Sequence, residues 1–224
     1  YKLYDLPEIK PGLCVIFNQE IFDYEEKKRY GTKKDLEALS GVFKDFGFDV
    51  EPHDNLKAQK ICDEITNLAE RKFSEYACLV VCILSHGNEG IVCGTDSKEV
   101  SVEDAKKQFN NPTLSGKPKI WIIQSCQGIL KQEDFEKSTA ELKPTTPQPT
   151  NQGNLPNQPP DIPRPPMSDF LDIRATVPGF VSYRNKVTGS TLIHNLCKQL
   201  RATFLSEGEK STRHLEDLLK MVQK

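Results

Sequence analysis

Residues 77–84 read Ala-Cys-Leu-Val-Val-Cys-Ile-Leu, an apolar run with no polar interruption. It is too short for most helices and rich in Val and Cys, so it predicts a strand buried on both faces. Such a strand needs cover above and below, which helices on the two faces of a parallel sheet provide. The rest of the chain supplies both parts. Gly12–Phe17 and Lys117–Gln124 (KPKIWIIQ) are further apolar runs, and Phe48–Glu51 and Val177–Tyr183 also read as strands. Helical stripes alternate with them. Leu36, Leu39, Val42, Phe43 and Phe46 form one, with Thr32 expected as N-cap and Gly47 as its end. Ile61, Ile65 and Leu68 mark a second, and Ser101-Val-Glu-Asp104 opens a third with a capping-box pattern. Leu192, Ile193, Leu196, Leu200 and Phe204 form another stripe, and Leu215, Leu218, Leu219 and Val222 the last. The predicted fold class is α/β, a three-layer sandwich with a mostly parallel central sheet.

One stretch breaks this alternation. Positions 143–166 hold nine of the fifteen prolines, interspersed with Thr, Gln and Asn. Such a segment can be neither helix nor central strand, and it reads as an extended linker. It divides the chain into a large segment, 1–142, and a small one, 168–224, with the linker at 143–167. The small segment has too few elements for its own core, so the sheet is expected to continue across the linker as a single domain, 1–224.

Charge and cysteines narrow the function classes. Thirty basic against thirty-two acidic residues leave a formal charge of −2, with no general basic field for nucleic acid. No apolar run has bilayer length, and no signal peptide is visible at the start. The chain lacks an initiator Met and reads as a piece of a longer protein. The seven cysteines are odd in number, and Cys14, Cys78, Cys82 and Cys93 lie in apolar strand-like runs. Buried free thiols in a reducing, cytoplasmic compartment account for that pattern better than disulfides. No CxxC pair occurs and Cys78 and Cys82 have no nearby matching His pair, so no zinc site is expected; no cofactor is expected either.

In a parallel sheet, chemistry collects in the loops after the carboxyl ends of the strands. The first long strand is followed by Ser85-His86-Gly87 and the second by Ser125-Cys126-Gln127-Gly128. A thiolate is a nucleophile, and a nearby imidazole can activate it and later protonate a leaving amine. Gly87 lets a substrate backbone come close. Singly, such a Cys is usually a core or surface thiol and such a His surface decoration. Together, after strands that look adjacent, they form a candidate pair.

The surrounding words carry a resemblance. Gln124-Ser-Cys-Gln-Gly128 is similar to the caspase nucleophile signature, with His86 forty residues upstream of Cys126. Cys82-Ile-Leu-Ser-His-Gly87 resembles that family's histidine strand and loop. Arg29-Tyr-Gly-Thr32 and Val181-Ser-Tyr-Arg-Asn185 resemble its two arginine motifs, and Gly94-Thr-Asp96 and Ser115-Gly-Lys-Pro-Lys119 fall where it has similar words. The resemblance runs from about Gly12 to His194. It implies a cysteine endopeptidase that cuts after aspartate, with Cys126 as nucleophile, His86 as acid/base, and the backbone N–H groups of Gly87 and Cys126 as oxyanion donors. It implies a carboxylate pocket of Arg29, Gln124 and Arg184, with Val181, Tyr183 and Asn185 also contacting substrate. Two guanidinium forks suit a carboxylate, and a protease preferring Arg or Lys would need acidic residues there instead.

The resemblance further implies a zymogen cut between its segments, with Asp161 and Asp134 as candidate processing sites. It implies protein substrates, a homodimer or a heterodimer with another caspase, an upstream adaptor, and no nucleic-acid or membrane partner. Val181 and Tyr183 look more like the death-receptor initiator type, in apoptosis or innate immune signalling. Three departures stand out: Ser125 for the usual Ala, Thr191 for a pocket tryptophan, and an end at Lys224 where the family has one more strand. The last two features suit the alternative, a catalytically impaired homologue that binds and regulates an active caspase.

Overall fold

The computed structural model describes residues 10–126, 168–175, 182 and 184–205. Its centre is a five-stranded sheet of β1 (Leu13–Asn18), β2 (Asp49–Asp54), β3 (Leu79–Leu84), β7 (Lys119–Gln124) and β8 (Phe170–Arg174), in the order β2-β1-β3-β7-β8. All four pairings are parallel. The expected α/β class and helix-covered sheet are what the chain adopts.

Alternation along the strands explains the two layers of core. Leu13, Val15, Phe17, Leu79, Val81, Ile83, Trp121 and Ile123 pack on one side, with Ile61, Ile65 and Leu68 of α2 (Ala58–Ala69) and Ala105 of α3 (Val102–Lys107). Cys14, Ile16, Val80, Cys82, Leu84 and Ile122 face the other side. There they meet Leu39, Val42 and Phe43 of α1 (Thr32–Asp45) and Ile193, Leu196 and Leu200 of α4 (Thr191–Leu200). Period-2 side-chain direction thus makes every residue of β1 and β3 buried.

Several elements differ from expectation. Thr32 is the first residue of α1, not its cap; Gly31 holds the cap position at φ 86°, with no side-chain cap bond. The Thr32 hydroxyl is used elsewhere, as described below. Ser101 does cap α3, accepting from the Asp104 N–H. The second strand runs Asp49–Asp54 rather than Phe48–Glu51.

Strand β8 was not foreseen, because Asp172 and Arg174 interrupt its apolar pattern. Their charges are paired: Lys106 Nζ lies 3.1 Å from Asp172, and Arg174 Nη2 lies 2.9 Å from it. A three-stranded antiparallel ribbon, β4 (Gly87–Asn88), β5 (Ile91–Cys93) and β6 (Glu99–Ser101), was also unforeseen, its strands being too short for a period. Of the predicted strand Val177–Tyr183, only Ser182 is among the described residues, and it is not in a strand; the last helical stripe lies outside them. A hairpin of β9 (Arg184–Asn185) and β10 (Gly189–Ser190) leads into α4. The described cysteines are all free thiols, with Cys14, Cys78, Cys82 and Cys197 buried.

Candidate active site

The register of the sheet brings the two candidate loops together. Leu84 of β3 stands opposite Gln124 of β7, and Asn18 of β1 opposite Leu84. Ser85-His86 and Ser125-Cys126 therefore leave adjacent strands at the same edge, tied by a 3.2 Å bond from Ser85 N–H to the Gln124 carbonyl. The loop after β1 joins them there and delivers Arg29.

His86 is half-buried, with its ring edge-on to Phe22 at a centroid distance of 4.8 Å. Its Nε2 lies 2.7 Å from the Lys27 carbonyl oxygen. A carbonyl only accepts, so Nε2 carries the proton and Nδ1 is the nitrogen left to exchange one in the neutral ring. Burial lowers the pKa from the ordinary 6.5; the bond to Lys27 opposes this, and the charges of Arg29, Arg184 and Lys27 add to the lowering. The net lowering favours the neutral ring. Gly87, next along, pairs with Val92, and a Cβ there would fall 2.2 Å from the Ile91 carbonyl oxygen, so no larger residue fits.

Cys126 is half-buried, its Sγ 3.8 Å from the Ser182 hydroxyl. Arg29 and Arg184 are two cations whose charges couple to this cysteine.

Arg29 is fully buried. Its Nη1 donates to the Gln19 carbonyl at 3.0 Å and to Thr32 Oγ1 at 2.8 Å, and Nη2 reaches the Gln124 carbonyl at 3.5 Å. Thr32 in turn donates to Asn18 Oδ1 at 2.7 Å, which is why its hydroxyl does not cap α1. Burial, and then the charge of Arg184, push the Arg29 pKa down to about 9. Burying a guanidinium is costly unless an anion answers it. Arg29 Nε and both amide atoms of Gln124, all buried, have no hydrogen-bond partner among the described residues. Arg184 donates from Nε to the Tyr30 carbonyl at 2.9 Å, and burial lowers its pKa too. Two cations and an unpaired amide at one strand edge match a carboxylate, which offers four lone-pair sites and accepts from both guanidinium forks.

The structure therefore brings Arg29, His86, Gly87, Gln124, Cys126 and Arg184 to one edge. Asn185 is close by, but its side chain closes its own turn, accepting from Val187 N–H at 2.8 Å and Thr188 N–H at 3.2 Å. Val181, Tyr183, Asp134 and Asp161 lie outside the described residues. Among the described residues no group of three or more His, Cys, Asp or Glu side chains could hold a metal ion, and no helix is long and apolar enough to cross a membrane.

Sequence reasoning missed Asp35 and its partner Ser190. Asp35 is buried and accepts from Ser190 N–H at 2.7 Å and Ser190 Oγ at 2.6 Å. Its signal was present: Asp35, Leu39 and Val42 share one helical face, so a carboxylate sits in line with the apolar stripe. Elsewhere, a cavity of about 350 Å³ between the sheet and helices α1 and α4 is lined by Phe43, Phe46, Phe48, Ile122 and Leu196 among others, none of them ionisable. It offers no catalytic group.

Residues 11–224 match the Caspase domain family. The chain is 34% identical over 218 residues to caspase-8 of Mus musculus, covering 89% of this chain and 43% of that protein. It is 35% identical over 202 residues to caspase-1 of Spodoptera frugiperda, covering 88% of this chain and 63% of the relative. The crystal structure of the Spodoptera caspase-1 superposes with a TM-score of 0.79 at 31% identity, over 98% of this chain and 77% of that one. The chain spans less than half the length of its mammalian caspase-8 relative and under two thirds of the insect one.

Proposed function

The chain belongs to the caspase family, a family of cysteine peptidases, and from that premise we propose that it is an endopeptidase cutting proteins after aspartate. The observation that carries this reading is the pocket at the strand edge: Arg29 buried with an unpartnered Nε, Gln124 buried with an unpartnered amide, and Arg184 beside them. A substrate aspartate would supply the acceptors that Arg29 Nε and Gln124 Nε2 lack.

The proposed chemistry assigns each of these groups a role. The Cys126 thiol gives its proton to His86 Nδ1 as its sulfur attacks the main-chain carbonyl carbon of the bound aspartate itself, and backbone N–H groups at Gly87 and Cys126 take the oxyanion. His86, held by its Nε2–H on the Lys27 carbonyl, protonates the leaving amine as the C–N bond breaks. The thioester is then hydrolysed by water, with His86 accepting the water proton. A neutral resting imidazole suits this order of events, because the ring must gain a proton before it can give one to the amine.

In the whole protein this activity is proposed to be of the initiator type, made as a zymogen and acting in apoptosis or innate immune signalling in the cytoplasm. It would use a caspase dimer and an upstream adaptor, with processing after Asp161 or Asp134. The single domain of two segments joined by the 143–167 linker is part of the same proposal. It is supported by β8, from the small segment, pairing with β7, from the large one.

The test is a set of fluorogenic peptides identical except for Asp, Asn or Arg before the reporter. The Asp peptide should be favoured over the Asn peptide by on the order of 10⁴ in kcat/KM, because a neutral residue leaves the buried cations unanswered. Cys126→Ala should abolish turnover. Equal rates on the Asp and Asn peptides would overturn the pocket, and an inert wild type would favour the impaired-homologue reading.

A further inference from the structure

Asp35 lies outside the machinery assigned above, yet it is buried between the parts of it. It projects from the first turn of α1 onto the β9–β10 hairpin, where Ser190 donates to it through both N–H and hydroxyl. The hairpin begins with Arg184, whose Nε is fixed on the Tyr30 carbonyl just before α1. The same seam is tight on its other side. Gly189, at φ 87°, has no room for a Cβ, which would lie 2.3 Å from Asp35 Oδ1, and a Cβ on Gly31 would lie 2.5 Å from the Asn185 carbonyl oxygen. Two close backbone approaches and two charge-assisted bonds define where the hairpin sits, and so where Arg184 points. The Asp35 charge also interacts favourably with both Arg29 and Arg184, and so opposes the lowering of the Arg29 pKa by the Arg184 charge. Burial raises the Asp35 pKa, and the Ser190 bonds and the two guanidiniums oppose that rise.

We propose that Asp35 is a positioning residue for the carboxylate pocket: its grip on Ser190 seats the hairpin that carries Arg184, so that both guanidiniums face one substrate carboxylate. The inference rests on the reading of Arg29, Gln124 and Arg184 as that pocket. It concerns a residue that touches neither substrate nor the reacting sulfur. A carboxylate that only stabilised the fold would change melting temperature and the fraction of active protein. A positioning carboxylate changes how well the aspartate side chain is held in every correctly folded molecule.

The test compares the wild-type protein with Asp35→Ala, Asp35→Asn and Ser190→Ala, each normalised to the concentration of alkylatable Cys126. Asp35→Asn keeps the size and one acceptor, and Ser190→Ala keeps the carboxylate, so at least one variant should fold. The expected result is a KM for the Asp peptide raised about tenfold in Asp35→Ala, with kcat within about twofold, because a misplaced positioning group weakens binding before chemistry. The other two variants should move KM in the same direction by less. The preference for Asp over Asn peptides should narrow in parallel, and Cys126 should react with iodoacetamide at the wild-type rate. An unchanged KM in the variants that fold, a lower KM once the charge is removed, or a loss confined to kcat would each overturn the proposal. Failure of the pocket reading is seen separately, as a wild type that itself shows no preference for Asp over Asn; that result would remove the basis of this inference as well.

Discussion

At the scale of single residues, the site is governed by charges held away from water. His86 is the clearest case for pH. Its pKa is below 6.5, chiefly through burial. The doubly protonated form, thiol plus imidazolium, cannot take a proton from Cys126, so activity is lost as pH falls through that lowered value and is retained above it. The acid limb of kcat/KM is therefore expected below pH 6.5, read from a pH–rate profile on the Asp peptide; a limb above 6.5 would contradict the lowering of the His86 pKa by burial. Lys27 gives a finer check. Its backbone carbonyl holds the ring while its ammonium lowers the ring's pKa. Lys27→Gln removes only the second effect, so the limb should move to higher pH, more clearly at low salt. Arg184 tests the pocket. Its guanidinium is anchored by Nε, leaving the fork for a ligand, and a lysine has no such division of labour. Arg184→Lys should cost on the order of 100-fold in kcat/KM, seen chiefly in KM, because the single ammonium cannot both hold Tyr30 and meet the carboxylate.

At the scale of elements, the start of α1 and the β9–β10 hairpin form one unit, although they are separated by most of the chain. Gly31 lies at their contact. Its φ of 86° and the 2.5 Å approach a Cβ would make to the Asn185 carbonyl oxygen leave no place for a side chain. Gly31→Ala should cost about 1–3 kcal/mol through the left-handed backbone and the clash. The check is a thermal melt with the peptide assay beside it: a lower melting temperature together with a raised KM is expected, since the displaced hairpin carries Arg184. A wild-type melt would show that the contact yields without cost. How legible these elements were depended on whether burial or pairing made them. The runs at β1, β3 and β7 were readable because both faces are almost wholly buried and their interiors are apolar, with polar residues only at strand ends. The fold class and the two loops bearing His86 and Cys126 follow directly from them. Strand β8 was not readable, because Asp172 is paid for by Lys106 from α3, a tertiary partner that no local pattern reveals. Thr32 misled for a similar reason: its hydroxyl had the chemistry of a cap but serves Arg29 and Asn18. The pocket cations were visible only through the motif resemblance, since Arg29 stands in a run of charges that reads as solvated surface.

At the scale of the whole molecule, the described residues before 127 and those after 167 share one core. Strand β8 pairs with β7 in parallel register from Lys119–Phe170 to Ile123–Arg174. Ile193, Leu196 and Leu200 of α4 share one buried cluster with Leu39 and Val42 of α1 and with the sheet. Asp35 and Ser190 add a buried polar link, and Lys106 ties α3 to Asp172. Covalent connection of the two sides adds a loop-closure term to these contacts, and that term grows slowly with loop length. Cutting the linker should therefore leave the molecule assembled. The measurement is limited proteolysis between the segments, or self-processing, followed by size-exclusion chromatography in native buffer with mass spectrometry of the peak. Both fragments are expected to co-elute at the mass of the uncut chain or a multiple of it, and to separate only in denaturant. Fragments that part in native buffer would show that the linker holds the segments together. Fragments ending at neither Asp161 nor Asp134 would remove both proposed processing sites while leaving the shared core intact. Retention of the pocket after cutting is the functional counterpart. Arg29, Gln124 and Cys126 lie in one fragment and Arg184 in the other, so Asp-selective turnover by the cut protein requires that the two remain seated on each other.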